Sequence, residues 1–209
     1  MSKKDTAQFW DTAHRYLEHH LKVIRQVSSH TIDSYRDCLN SFIDYLERFE
    51  NINRKKISFH NFEKETIKRY QTWMITEKRL APKTSNLRLT EIRAFLEYAA
   101  QEDLWIMPLY TDACTIVGVK TTNQAIEYFE PDEMTALLAA PSGNNKTDRR
   151  NQMMLIFLYD TAARVAEARQ VKVSDLHLDA EVPYVTLLGK GRKYRNIPLM
   201  EKTILHLKR

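Results

Sequence analysis

The stretch Tyr159-Asp-Thr-Ala-Ala-Arg-Val-Ala-Glu-Ala-Arg-Gln170 decides how the rest of this chain is interpreted. It follows a continuous apolar run at residues 153–158, which predicts a buried helix. Thr161 is placed to cap a second helix whose first turn carries Arg164, so that the guanidinium projects from the edge of a packed core. Such a planar group binds two phosphate oxygens at once. The alternative is an ordinary i,i+3 ion pair between Arg164 and Glu167.

Downstream, the sequence predicts a β-hairpin with a basic tip. Residues 182–188 are rich in β-branched and aromatic side chains, as strands are. Gly189-Lys-Gly-Arg-Lys193 has the composition of a turn, and residues 194–199 alternate polar and apolar side chains. A helix with an exposed arginine is therefore followed by a hairpin whose tip is positively charged.

These features together resemble the catalytic domain of the tyrosine recombinases, the phage integrase family. The hairpin reads Gly-Lys-Gly-x-Lys-x-Arg-x-x-Pro-Leu from Gly189, after an acidic connection at Ser174-Asp175. The family's first motif usually reads Thr-Gly-x-Arg-hydrophobic-Ser-Glu-Leu, and here it reads Thr-Ala-Ala-Arg-Val-Ala-Glu-Ala from Thr161. The arginine is retained, whereas Ala162 replaces a glycine that would ease a tight turn.

The resemblance implies DNA strand cleavage that needs neither a cofactor nor a metal. In that family a tyrosine hydroxyl attacks a DNA phosphate and forms a 3′-phosphotyrosyl bond. Arg164 would be the first catalytic arginine, and Lys190 would protonate the departing 5′ oxygen, with Lys193 as the alternative. Arg192, Lys193 and Arg195 would neutralise nearby DNA phosphates. The other interpretation of the tip is an ordinary solvated turn.

Composition sets limits on the type of protein. The chain has 209 residues, of which 43% are apolar and 28% charged, which is typical of a globular chain of two domains or of one and a fraction. Its net charge of +5 fits an anionic partner without requiring one. Cys38 and Cys114 have no zinc-type spacing, and we expect neither a metal site nor a disulfide framework. No signal peptide or membrane-spanning stretch is evident, so we expect a cytoplasmic protein that does not contact membranes.

The first hundred residues predict a compact all-α domain. Apolar residues recur at helical spacing in a leading segment, in a helix capped by Thr31, in a third helix from about Glu63 and in a fourth from Thr84 or Ser85. Because the aromatic residues follow the same spacing, we expect them to pack in the core and not to stack on bases. This order resembles the SAM-like core-binding domain of the recombinases.

A polar cluster at the start of the fourth helix is a candidate DNA-binding surface. Backbone N–H groups at a helix start favour phosphate, although a solvated polar face is the alternative. The cluster consists of Lys83, Thr84, Asn86, Arg88 and Arg93.

The resemblance covers about residues 9–205 and predicts a mainly α chain in three parts. We expect a helical SAM-like core-binding domain at residues 1–107, a linker at residues 108–126, and the front part of an α+β catalytic domain at residues 127–209. The implied partner is double-stranded DNA at a recombination site, on which the full-length enzyme would self-associate.

The family's remaining motifs, His-x-x-Arg and the nucleophilic tyrosine, would lie beyond Arg209. Residues 201–209 predict the start of another helix, and neither Tyr184 nor Tyr194 is assigned as the nucleophile. We therefore expect these 209 residues to bind DNA weakly without cutting it, as part of an enzyme of site-specific recombination. The alternative is a non-catalytic DNA-binding protein that occupies recombination sites or modulates an intact recombinase.

Overall fold

The computed structural model describes residues 3–122, 127–141, 145–189, 191 and 193–208. The chain forms two compact units, Met1–Gln124 and Ala125–Arg209, each with its own hydrophobic core. Within the described ranges, no helix has the length and apolar character needed to cross a bilayer.

The described residues of the first unit form helices and connecting loops, with no strand among them. Helix α1 (Lys3–His14) continues directly as a π-helical segment, Arg15–Ile24. It is followed by α2 (Ser29–Phe49), α3 (Lys64–Thr76), α4 (Pro82–Glu102) and α5 (Met107–Cys114). Short 3₁₀ turns at Arg54–Lys56, Phe59–Phe62 and Leu104–Ile106 connect them.

Aromatic rings fill the core of the first unit. The ring of Phe9 lies 5.5 Å from Phe59 and 6.1 Å from Phe95, both edge to face. The ring of Phe42 lies 4.7 Å from that of Phe62, and none of these five side chains is exposed. Edge-to-face contacts at this spacing stabilise a core beyond simple burial. The prediction that these aromatic residues pack in the core is confirmed.

Two predicted helix starts are wrong by a few residues. Helix α2 is capped by Ser28, whose Oγ accepts a hydrogen bond from the Thr31 backbone N–H at 3.2 Å, so Thr31 is not the cap. Helix α4 begins at Pro82, which places Thr84 and Ser85 inside its first turn. Proline suits the first helical position because it has no N–H to leave unpaired there and its φ is already helical.

The segment predicted as a linker begins as an ordered part of the first unit. Helix α5 lies in it, and Ala113 and Ile116 are buried in the core. From α4, Arg93 donates hydrogen bonds to the carbonyls of both residues. Asn86 forms two hydrogen bonds with the backbone of Val119, of 2.9 Å to its carbonyl and 2.7 Å from its N–H. The chain is thus docked on α4 as far as Val119, because buried apolar residues and backbone hydrogen bonds hold it there.

The second unit combines short helices with a small sheet. Its helices are α6 (Pro131–Ala139), α7 (Lys146–Thr161), α8 (Val165–Ala168) and α9 (Glu201–Leu207). Its strands are β1 (Leu176–His177), β2 (Tyr184–Leu188) and β3 (Tyr194–Pro198). The strands form an antiparallel sheet in the order β1-β2-β3. The hairpin predicted from the sequence is β2-β3, with Leu188 paired to Tyr194 at its end.

The apolar run at residues 153–158 is helical, as predicted, but it is only partly buried. Phe157 is buried, whereas Met153, Met154 and Leu158 are half-buried against the core formed by the sheet and Ala168. Helix α7 packs against α6, α8 and α9, and the residues between these contacts keep part of their surface exposed.

The turn before Arg164 differs from the prediction. Thr161 does not cap the following helix, because it is the last residue of α7, where its Oγ donates to the Phe157 carbonyl at 2.6 Å. Ala162 then adopts the left-handed conformation, with φ at 47°. Arg164 occupies the N-cap position of α8 instead of its first turn. The tight turn expected at a glycine is therefore made by alanine.

We predict that Ala162→Gly stabilises the protein by about 0.5–1 kcal/mol. A left-handed residue with a Cβ costs roughly 1–2 kcal/mol, and glycine removes that cost while losing somewhat more entropy on folding. Urea unfolding measures the difference. The matched control is Ala166→Gly inside α8, which should destabilise by about 0.5–1 kcal/mol because no left-handed residue is relieved there. Equal destabilisation by both substitutions would contradict the strain at Ala162.

We also predict that Asn86→Ala releases the chain around Val119. Loss of both hydrogen bonds should increase trypsin cleavage after the exposed Lys120 by roughly tenfold, since two hydrogen bonds contribute on the order of 1–3 kcal/mol. Limited proteolysis of the native protein measures the rate. The control is Leu87→Ala, which changes an exposed neighbour on α4 and should leave the rate unchanged.

Candidate functional site

The carboxylate of Glu167 is the centre of the predicted site. Its side chain is 6% exposed. Two arginines from different elements donate to it: Arg164, directly before α8, and Arg195, on β3. A carboxylate this buried needs such partners, because an unpaired charge away from water is unfavourable.

Arg164 forms one backbone and one side-chain hydrogen bond with Glu167. Its backbone N–H donates to Oε2 at 2.9 Å, and its Nη1 donates to Oε1 at 2.8 Å. The i,i+3 ion pair that the sequence offered as an alternative is therefore present. The Arg164 side chain nevertheless remains 68% exposed. The ion pair fixes one edge of the guanidinium and leaves the other donors facing solvent, so the two interpretations of this residue are compatible.

Arg195 reaches the same carboxylate from β3. Its Nη1 lies 3.1 Å from Oε1 and its Nη2 lies 2.7 Å from Oε2, which is the paired geometry that suits a guanidinium and a carboxylate. The sequence predicted Arg195 to contact DNA phosphates. The structure instead places both of its terminal nitrogens on Glu167.

Glu167 and Arg195 shift each other's pKa. Hydrogen bonds from Arg195, and then from the Arg164 backbone, lower the pKa of Glu167 from 4.5 to about 2. In return, Glu167 raises the pKa of Arg195. Glu167 therefore stays ionised at neutral pH, where two positive side chains face one negative side chain.

Gly189 makes room for the Arg195 contact. A Cβ at this position would lie 2.9 Å from Nη1 of Arg195 and 3.3 Å from Oε1 of Glu167. The N–H of Gly189 also donates to the Lys193 carbonyl at 2.8 Å across the base of the turn. The residue is thus placed where the hairpin meets the ion pair.

The predicted residues at the hairpin tip are described only in part. Lys190 and Arg192 lie outside the described residues, so their roles stay predictions. Lys193 is exposed, and its backbone carbonyl accepts the bond from Gly189.

The predicted DNA-binding residues of the first unit all lie on α4, but their side chains differ in availability. Lys83 is exposed and Thr84 is half-buried. Arg88 is half-buried and donates to the hydroxyl of Tyr70 at 3.3 Å. Asn86 and Arg93 bind the backbone that leads out of this unit. Lys83 is therefore the most accessible of the five side chains, whereas those of Asn86, Arg88 and Arg93 already form hydrogen bonds within the protein.

Sequence reasoning missed Glu167 as a shared acceptor. It considered this residue only as a local partner of Arg164, because the contact with Arg195 joins positions 28 residues apart. No local pattern signals such a contact. Over the described residues, no group of three or more His, Cys, Asp or Glu side chains is arranged to hold a metal ion.

Two family models match this chain. The model of the phage integrase SAM-like domain matches residues 8–113, and that of the phage integrase family matches residues 127–209.

Curated relatives agree with these matches. The tyrosine recombinase XerD of Halalkalibacterium halodurans is 34% identical over 184 residues, and XerC of Staphylococcus haemolyticus is 30% identical over 181 residues. Each alignment covers 87% of this chain and 57% of the relative. The chain thus spans little more than half the length of these relatives.

Solved structures share the fold at low identity. The XerH site-specific recombinase bound to difH substrate superposes with a TM-score of 0.62 at 20% identity, covering 91% of this chain and 53% of that chain. A lambda integrase dimer bound to a COC′ core site superposes with a TM-score of 0.65 at 15% identity, covering 93% and 64%. Together with the family models and the relatives, this similarity shows that the chain belongs to the tyrosine recombinase, or phage integrase, family.

Proposed function

We propose that this chain supplies the DNA-binding surface and part of the phosphate site of a site-specific recombinase. The full-length enzyme would cleave and rejoin DNA through a 3′-phosphotyrosine intermediate and would self-associate on its recombination site. The observation that carries the proposal is the geometry of Arg164. Its guanidinium is 68% exposed, yet Glu167 fixes one of its edges.

That geometry suits the chemistry of phosphoryl transfer. The attacked phosphate gains negative charge on its non-bridging oxygens, and a preorganised guanidinium stabilises this charge without first having to reorient. Because the buried carboxylate already orders Arg164, little side-chain entropy remains to be lost on binding.

The other groups have complementary roles in the proposal. Lys190 protonates the departing 5′ oxygen, while Arg192 and Lys193 neutralise phosphates beside it. The chemistry assigned to these residues uses no cofactor and no metal, since the tyrosine supplies the nucleophile and the protein supplies the positive charge.

The first unit contributes further contacts with double-stranded DNA. Lys83 is exposed at the start of α4, and Thr84 and Arg88 follow on the same helix. A helix of this length, Pro82–Glu102, supports an anion at its N-terminus through its dipole. We assign these residues to the DNA backbone because phosphate contacts position a protein without reading the sequence. A cytoplasmic location belongs to the same proposal.

The proposal is tested by DNA binding of the 209-residue chain as a function of salt. Arg164→Ala should weaken binding to a duplex by about fivefold at moderate salt and reduce the slope of log K against log salt by about one, as expected for one lost phosphate contact. Fluorescence anisotropy with a labelled duplex measures both quantities.

The matched control removes the same charge elsewhere. Arg149→Ala changes an exposed arginine on α7 to which no role is assigned. This variant should have the same slope of log K against log salt as the parent chain. The proposal fails if the parent chain does not bind duplex DNA, or if both substitutions have the same effect.

A further inference from the structure

We propose that Arg195 is a positioning residue, which holds Glu167 and thereby keeps the outer donors of Arg164 available for a DNA phosphate, without contacting DNA itself. This inference rests on the proposed function, because it assigns Arg164 to the phosphate. It differs from the expectation that Arg195 neutralises a phosphate directly.

Arg195 already uses both of its terminal nitrogens within the protein. Both of its terminal nitrogens lie within hydrogen-bonding distance of the Glu167 oxygens, at 3.1 and 2.7 Å. This pairing occupies the edge of the guanidinium that would otherwise bind a phosphate with two hydrogen bonds. An Arg195 held in this way does not offer that edge to a phosphate.

One oxygen of Glu167 is shared between the two arginines. Oε1 accepts from Nη1 of Arg164 at 2.8 Å and from Nη1 of Arg195 at 3.1 Å. The two guanidinium groups therefore compete for the same carboxylate. While Arg195 is bound to both oxygens, Arg164 makes a single side-chain contact and keeps its remaining donors in solvent.

The buried carboxylate would take a new partner if Arg195 were lost. At 6% exposure, Glu167 cannot recover its lost partner from water. Without Arg195, the Arg164 side chain would turn inward and bind both oxygens, because a buried charge is stable only when its hydrogen bonds are satisfied. Its donors would then be withdrawn from the DNA side.

Gly189 keeps space open for the contact between Arg195 and Glu167. A Cβ on Gly189 would lie 2.9 Å from Nη1 of Arg195, so the flexible end of the Arg195 side chain would have to move. The guanidinium can pair with Glu167 because the hairpin has no side chain at this position. Gly189 therefore offers a way to disturb the ion pair without changing any charge.

The decisive variant is Gly189→Ala. If Arg195 positions Arg164, the new methyl group should weaken duplex binding by about fivefold, as Arg195→Gln does, although no charge has changed. If Arg195 binds a phosphate directly, its displacement from Glu167 should leave binding unchanged or strengthen it. Anisotropy at fixed salt measures the sign of the effect, and unchanged or tighter binding overturns the inference.

A second comparison decides the question if Gly189→Ala does not fold. A phosphate accepts lysine as a point charge, so Arg195→Lys should restore most of the binding lost in Arg195→Gln if the contact is direct. Lysine cannot bond both oxygens of Glu167 in the paired geometry, so a positioning role predicts that Arg195→Lys stays as weak as Arg195→Gln. Thermal unfolding of both variants confirms that they are folded.

A double substitution tests whether Arg195 acts on DNA binding through Arg164. A purely structural role of Arg195 would not depend on the presence of Arg164. In an Arg164→Ala background, Arg195→Gln should weaken binding no more than Arg149→Gln does, because the residue through which it acts is gone. A full additional loss in that background would show that Arg195 acts independently, and the inference would be wrong.

A measurement without DNA separates this inference from the proposed function. In an Arg164→Ala background, where no second guanidinium can replace Arg195, carbon-13 NMR of the Glu167 carboxyl should show a clear rise in its pKa when Arg195→Gln is added, since the largest cause of the lowered pKa is removed. Failure of the parent chain to bind DNA would reject the proposed function alone. An unchanged pKa of Glu167 would show that Arg195 does not hold this residue, whatever the DNA result.

Discussion

The second unit depends on one buried carboxylate that must be neutralised from both sides. Glu167 lies in α8, directly after the turn that carries Arg164, and its ion pair with Arg195 joins this helix to the start of β3, beside the hairpin turn. A buried charge imposes a stricter geometry than apolar contacts do, because a small displacement leaves it without a partner. The position of Arg164 is thus set by electrostatics, in a unit whose apolar core is small.

The first unit is stabilised differently. Its core is a continuous set of aromatic and aliphatic side chains from every helix, which explains why it is helical from α1 to α5. On this rigid base, α4 has two roles that involve different side chains. Lys83 and Arg88 are proposed to contact DNA, whereas Asn86 and Arg93 bind the backbone of residues 113–119. One helix therefore connects the proposed DNA surface with the chain that leads to the second unit.

The helices, the hairpin and the family could be predicted from the sequence, because periodicity and turn composition are local and the motif around Arg164 is specific. The helix caps were harder to predict. Ser28 and Thr31 are equally good capping residues for α2, and which of them caps the helix depends on packing. The role of Arg195 could not be predicted. A basic residue in a strand beside a basic turn looks like a DNA contact until the fold places Glu167 next to it. The hydrogen bonds between Val119 and Asn86 are likewise a tertiary contact, and no local sequence pattern predicts them.

The two described glycines of the hairpin have different reasons to be glycine, and their tolerance to mutation should differ accordingly. Gly191 has φ at 77°, and a Cβ there would meet no atom within 4 Å, so the requirement is conformational and asparagine should be accepted. Gly189 has no such φ restriction, but its space is taken by the Arg195 guanidinium. Any side chain at this position would have to displace the Arg195 guanidinium. A substitution library of this hairpin would therefore separate a position that selects for backbone shape from one that selects for volume.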